Sequence, residues 1–437
     1  MKATTLNYKF SLFVIGILYF VFGFVTWLNG TLIPFLKIAC ELSDFLAYFV
    51  TFAFYISYFV MALPSSFILE KTGFKNGIAI GLFVMAIGSA LFIPASYERS
   101  YILFLIGLFI LGTGLSLMQT AVNPYVTILG PIESAAKRIS IMGICNKFAG
   151  IIAPLLLATL LFSGTEHIVA AIETNSSPEL RNNMLDTLAL QLINPYIVMT
   201  IILVLLGFLI LRTHLPEIDK DESTEEKSRK SIWQFPYMWI GVIALFFYVG
   251  VEVIAADTVI LYGKSLGVPV ESAKYFTSLT LVSMVIGYFI GVAIIPKVVS
   301  QRKALIACAV LGIILVLCAL IVPADSYFTF SFIDIATFKP IEMLIPYTVF
   351  FIALLGLANS LVWPAIWPLA LDGVGSHAKK VSAFLIMAIA GGALIPLVYG
   401  RLADTIGTQK AYWIAIPCYV VILFFAVYGY KIGKSEK

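Results

Sequence analysis

The sequence predicts an all-α integral membrane protein: twelve transmembrane helices in two pseudo-symmetric six-helix halves. Three observations predict it. First, the 437 residues are 61% hydrophobic and only 12% charged, with a mean hydropathy of +1.00. Soluble domains run nearer half apolar and a quarter charged. Second, twelve runs reach the ~20 apolar residues that a helix needs to cross a bilayer. Third, one phrase occurs twice. Gly112-Thr113-Gly114-Leu115-Ser116-Leu117-Met118-Gln119-Thr120-Ala121-Val122-Asn123-Pro124 returns as Gly356-Leu357-Ala358-Asn359-Ser360-Leu361-Val362-Trp363-Pro364-Ala365-Ile366-Trp367-Pro368. Gly112, Ser116, Leu117, Ala121 and Pro124 each meet an identical residue. Two halves on one plan in so apolar a chain point to a transporter with its site between the halves.

The runs fall at 10–36, 44–69, 76–96, 101–128, 138–162, 193–212, 235–263, 272–295, 303–323, 343–371, 382–399 and 409–430. The first is too long for a cleavable signal and reads as a retained span. Two longer polar stretches break the series. One is 163–192. The other, 213–234, is dense in charge and lies at the midpoint. The organisation is therefore an N-terminal half over 1–212, a cytoplasmic linker over 213–234 and a C-terminal half over 235–437. Basic residues orient the chain, since Lys and Arg collect in cytoplasmic segments. With the N-terminus inside, 19 of the 28 lie in inner segments and 8 in outer ones, Lys147 being within a span. Both termini are expected in the cytoplasm. The net charge of +4 is small and indicates no nucleic-acid partner. The lipid bilayer is the expected partner, and a monomer the expected state.

Longer motifs carry a resemblance. Glu70-Lys71-Thr72-Gly73-Phe74-Lys75 resembles the signature loop of the major facilitator superfamily. Gly400-Arg401-Leu402-Ala403-Asp404-Thr405-Ile406-Gly407 is a closer copy, placed after span eleven. Leu28-Asn29-Gly30-Thr31-Leu32-Ile33-Pro34, Gln119-Thr120-Ala121-Val122-Asn123-Pro124, Asn146-Lys147-Phe148, Phe246-Phe247-Tyr248-Val249-Gly250-Val251-Glu252-Val253, Leu357-Ala358-Asn359-Ser360 and Leu385–Ala393 resemble the fucose–galactose–glucose:proton symporter family. The resemblance implies the major facilitator fold and sugar symport across a bacterial inner membrane. It also exposes two departures. The fucose permease branch has an acid at the places held here by Gly30 and Gln119. This chain cannot use that acid pair for proton coupling.

Polar groups inside spans need partners or a task. Gln119 and Asn123 are four apart, hence on one helix face. Their repeat counterparts are Trp363 and Trp367, with Asn359 one turn earlier. Amides on one side and indoles on the other suit a hexose, whose hydroxyls need hydrogen bonds and whose C–H face stacks on a ring. Helix cross-linking is the alternative for the amides, and packing for the tryptophans. The resemblance places Asn29 and Asn146 near the same cavity. Lys147, Glu252 and Asp257 are charges at membrane depth, where each costs several kcal/mol unless paired or hydrated. They form either a structural ion pair or a coupling site whose carboxylate takes a cation. Glu252 and Asp257 are roughly 140° apart on an ideal helix, so both need not face one cavity. Pro124, Pro154, Pro364, Pro368 and Pro396 are expected to interrupt helices.

The sum is a monosaccharide transporter working by alternating access, coupled to protons. Sodium coupling, uncoupled passage and a non-transporting sugar sensor are the alternatives. No cofactor beyond the co-transported cation is expected. The histidines His167, His214 and His377 are scattered in loops or at span ends, so no metal site or membrane-embedded enzyme is indicated.

Overall fold

The computed structural model describes residues 5–128, 135–162, 172, 177–213, 232–295, 298–333, 340–374 and 377–433. Within these, the side chains of 5–9, 123–128, 135–140, 162, 270–271, 332–333, 340–341 and 378–380 lie outside the description. So does most of the expected linker at 213–234.

Among the described residues, eleven helical stretches are long and apolar enough to cross a membrane. One of them, Asp44–Tyr97, is 54 residues long. It is two spans. Phe54 and Gly81 both pack against one level of the helix Tyr101–Ile128, at Gly112 and Gly114. In a straight helix these two would stand about 40 Å apart. The chain reverses at Gly73, whose φ of 78° and ψ of 169° break the helix. A positive φ of this kind suits glycine, which has no Cβ to clash. The expected spans two and three therefore meet at this turn, and the count is twelve.

The other spans are Thr5–Trp27 with Asn29–Ala39 (one), Tyr101–Ile128 (four), Ala135–Phe162 (five), Ile193–Arg212 (six) and Pro236–Asp257 with Val259–Ser265 (seven). There follow Val270–Ile294 (eight), Gln301–Ile321 (nine), Tyr347–Asn359 with Val362–Leu371 (ten), Ala378–Ile406 (eleven) and Thr408–Val427 (twelve). Helices in lipid gain nothing from burying apolar faces, so close contact through small residues holds them together. The repeated phrase shows this. A Cβ on Gly112 would lie 2.3 Å from the Phe54 carbonyl oxygen of span two. A Cβ on its counterpart Gly356 would lie 1.9 Å from the Thr280 carbonyl oxygen of span eight. Spans two and eight are themselves repeat partners, so each half is seated in the same way.

Three expectations change. The polar stretch 163–192 contains a helix, Pro178–Leu190, with Pro at its first turn and Leu185, Leu188 and Ala189 buried. Its polar average hides an apolar stripe at helical spacing. Span ten begins at Tyr347 rather than 343, because an antiparallel hairpin of Tyr327–Ile333 and Pro340–Pro346 precedes it. Met343 and Ile345 are buried there while Leu344 faces out, the period-two signature of a strand. Four of the five prolines, finally, do not interrupt their helices. Backbone helix runs through Pro124, Pro154, Pro368 and Pro396, and Pro364 lies in a first turn, where no N–H is needed. Neighbouring groups in a packed membrane bundle re-satisfy the backbone around a proline. The pauses lie at Leu28, at Thr258 and at 360–361, and only the last fits a proline, since Pro364 has no N–H to donate one turn back to Ser360.

Candidate functional site

Lys147 of span five and Glu252 of span seven form an ion pair between the halves, Nζ to Oε1 2.6 Å. Both side chains are nearly buried. The ammonium also lies 4.2 Å from the centre of the Trp27 ring of span one. Two glycines make this possible. Span one sits on span five where a Cβ on Gly23 would be 2.0 Å from the Asn146 carbonyl oxygen. One turn beyond Lys147, a Cβ on Gly150 would be 2.3 Å from Trp27. The structure thus brings together two of the three charges singled out in the sequence.

The third, Asp257, is fully buried at the end of the first helix of span seven, and neither carboxylate oxygen has a hydrogen-bond partner. It lies within electrostatic reach of Glu252 and Lys147. An ionised carboxylate with no partner in such surroundings costs several kcal/mol. Binding a proton or a metal cation removes that cost. Asp257 is therefore the group in this region that lacks a counterpart inside the protein.

The amides divide. Gln119 is nearly buried, its Oε1 has no partner, and it borders a shallow crevice lined by Leu18, Tyr19, Phe22, Met118 and Val122. Asn146 Nδ2 points to the Tyr19 carbonyl at 3.5 Å, a long contact. Asn29 is buried with Nδ2 unpartnered. Gln119 and Asn29 each keep an amide atom without a partner among the described residues. Asn359 differs: its Oδ1 accepts from the Tyr419 hydroxyl at 2.8 Å, which ties span ten to span twelve. Trp363 and Trp367 stack on each other, centroids 5.2 Å apart and planes at 25°, with Tyr248 next in line. The side chain of Asn123 lies outside the described residues. At Gly30, where the resemblance implied a missing acid, a Cβ would meet Thr277 Oγ1 at 2.9 Å. A side chain there would require the Thr277 side chain to shift.

The halves are also joined toward the end of the bundle that carries the one–two and eleven–twelve turns. Ser278 Oγ donates to the Ile151 carbonyl at 2.7 Å, and Lys274 Nζ to Thr159 Oγ1 at 3.5 Å. At the rim, the Asp404 carboxylate accepts the backbone N–H groups of Asp44 and Phe45, both at 3.0 Å. These open the short helix Asp44–Ala47, and an acid at a helix start complements its unpaired donors. Lys37 pairs with Asp44 beside it. Tyr48 packs edge-on against Tyr399 below this contact. Asp404 thus clasps the two halves at one end. We expect Asp404→Ala to weaken closure there by about 1.5 kcal/mol, the worth of hydrogen bonds to a charged group. Spin labels at Tyr97 and Ile406 should then show the separated population rising about tenfold. An unchanged distance distribution rules the clasp out.

Trp27 and Asp404 were not among the site residues read from sequence. Asp404 stood in a recognised loop but had no visible partner, since its donors lie 360 residues away. For Trp27 the signal was the pair of glycines, Gly23 and Gly150, one turn from the residues they accommodate.

Comparison with known proteins is consistent with this geometry. The family model described as Major Facilitator Superfamily matches residues 15–395. A glucose/galactose transporter of Brucella abortus biovar 1 (strain 9-941) is 33% identical over 97% of this chain and 95% of that protein. An L-fucose-proton symporter of Escherichia coli (strain K12) is 30% identical over 94% of this chain and 90% of its own. The crystal structure of the E. coli fucose:proton symporter superposes with a TM-score of 0.72 at 28% identity, covering 99% of this chain and 100% of that one.

Proposed function

The chain belongs to the major facilitator superfamily, and we propose that it carries a monosaccharide across the membrane by alternating access, coupled to proton entry. It is a multi-pass membrane transporter of sugar and not an enzyme. Kinship with a glucose/galactose transporter and an L-fucose-proton symporter along almost the whole chain is the observation that carries this reading. The partner it implies is a hexose or a fucose-like sugar.

In this reading Asn29, Gln119, Asn123 and Asn146 offer hydrogen bonds to the sugar hydroxyls, and Trp363 and Trp367 offer a face for its C–H surface. The unused amide atoms of Asn29 and Gln119 and the stacked, partly buried indole pair support it. Asn359 contributes by holding the tryptophan-bearing helix against span twelve. Coupling falls to Glu252 and Asp257 with Lys147. A proton on Asp257 removes an unpaired buried charge, and a proton on Glu252 releases Lys147, so either event changes how firmly the halves adhere. The basic-residue asymmetry supports a cytoplasmic position for both termini. The clasped end then faces outward, in a bacterial inner membrane, and the chain works as a monomer because both halves of the site lie in it.

Uptake into proteoliposomes tests this, with glucose, galactose, mannose, fucose and N-acetylglucosamine offered under proton and sodium gradients imposed separately. We expect accumulation of one of these sugars driven by an acidic exterior. Asp257→Asn is expected to keep sugar counterflow and lose accumulation. Absence of counterflow for every sugar overturns the substrate class. Full accumulation by a Glu252→Gln/Asp257→Asn variant overturns the coupling site, and accumulation driven by sodium alone replaces the proton.

A further inference from the structure

The geometry points to Trp27 as a positioning residue of the coupling site: a second seat for the Lys147 ammonium, used when Glu252 lets it go. This rests on the reading that Glu252 takes part in coupling. Lys147 touches two groups, and they belong to different halves. Glu252 lies in the C-terminal half and Trp27 in the N-terminal half. Protonation of Glu252, or movement of one half against the other, removes the first contact. The second survives, because Trp27 and Lys147 ride on helices of the same half.

The seat is built rather than incidental. Spans one and five approach through glycine on each side of it, Gly23 against the Asn146 backbone and Gly150 against the indole. Trp27 is only 2% exposed, so the ammonium faces the ring with little competing water, the condition under which such contacts are strongest. Its indole N–H makes no hydrogen bond, so nothing but packing and the ring face explains the orientation. Trp27 also belongs to a small apolar cluster, separate from the main core, with Ile151, Ala256, Leu281, Met284 and Tyr288. That cluster lines the junction of the halves. The alternatives to the ring, for a lysine whose partner has been neutralised, are the nearby Asp257 carboxylate when it is ionised or an uncompensated buried cation.

The consequence is directional. Trp27 lowers the free energy of the state in which Glu252 is protonated and Lys147 is still charged. Without the ring that state is harder to reach, so uptake should need a more acidic exterior. The other titratable groups within electrostatic range of Glu252 are Asp257 and Tyr248 on span seven, Tyr55 on span two, Tyr288 on span eight and Tyr419 on span twelve. Of these, Tyr288 shares the apolar cluster of Trp27, so the Trp27→Phe variant, which keeps a ring in that cluster, controls for a change in its packing.

The experiment compares Trp27→Leu and Trp27→Phe with the parent protein in proteoliposomes, measuring the pH dependence of uptake. Trp27→Leu should move the half-maximal pH of uptake down by about one unit, a tenfold change in proton affinity, and slow uptake at neutral pH about tenfold. Trp27→Phe keeps a ring face and should recover most of both. In a Lys147→Gln background, read by sugar counterflow because accumulation is lost, the Trp27 changes should have no further effect on the pH dependence. A Trp27→Leu protein with the parental pH profile overturns the proposal. So does a Trp27→Phe protein as impaired as Trp27→Leu, which marks a packing role. If the parent protein itself shows no proton dependence, the coupling reading fails instead.

Discussion

Lys147→Met is expected to abolish sugar accumulation and to lower stability by roughly 3–5 kcal/mol, the cost of leaving one member of a buried ion pair alone. Glu252 then has no counter-charge in a site where the ion pair is nearly enclosed. Thermal unfolding in detergent reads the stability, and uptake against a gradient reads the function. The double variant Lys147→Met/Glu252→Gln separates the two. It restores neutrality without charge, so most of the lost stability should return, while accumulation stays absent. Recovery of both marks the pair as structural. Loss of stability equal to the single variant shows that packing, not charge, is at stake.

Gly391→Ala is expected to have the largest effect on folding of any single methyl added to this chain. A Cβ there would stand 1.7 Å from the Phe246 carbonyl oxygen and 2.6 Å from its carbonyl carbon. Both atoms are backbone of span seven, so no side chain can turn aside. Span eleven must move away from span seven, and with it Gly392, which packs against the Tyr55 ring of span two. Overpacked sites ordinarily lose about 1–3 kcal/mol, and this one should reach or exceed the upper figure. Gly16→Ala is the control, having nothing within 4 Å of the added carbon. It should be neutral or slightly stabilising, since alanine favours helix. The melting temperature and the monodisperse fraction after purification give the readout. Equal behaviour of the two variants contradicts the packing described.

The twelve spans were legible because each is a long apolar run, and hydropathy reports that without tertiary information. The repeated phrase was legible for the same reason. The pairing of Lys147 with span seven was also foreseeable, because charges at membrane depth seek one another. The distribution of roles among the amides was not. Asn359 and Gln119 sit in matching copies of one phrase, yet only the structure shows that Tyr419 engages the first and nothing engages the Oε1 of the second. The helix Pro178–Leu190 and the hairpin before span ten were hidden by averaging, since short stripes and alternations vanish in a window wide enough to find a span. Asp404 depends on a partner from the opposite end of the chain. Asn123 keeps its sequence-based reading alone.

The paired glycines Gly112 and Gly356 separate two kinds of inheritance in this molecule. Each is a place where a helix touches a carbonyl and admits no side chain, so the duplicated unit is locked there. Two turns along each helix, Gln119 and Trp363 have been free to become different things. A lineage built this way can exchange its cargo by altering a handful of residues, while the instructions for assembly stay untouched.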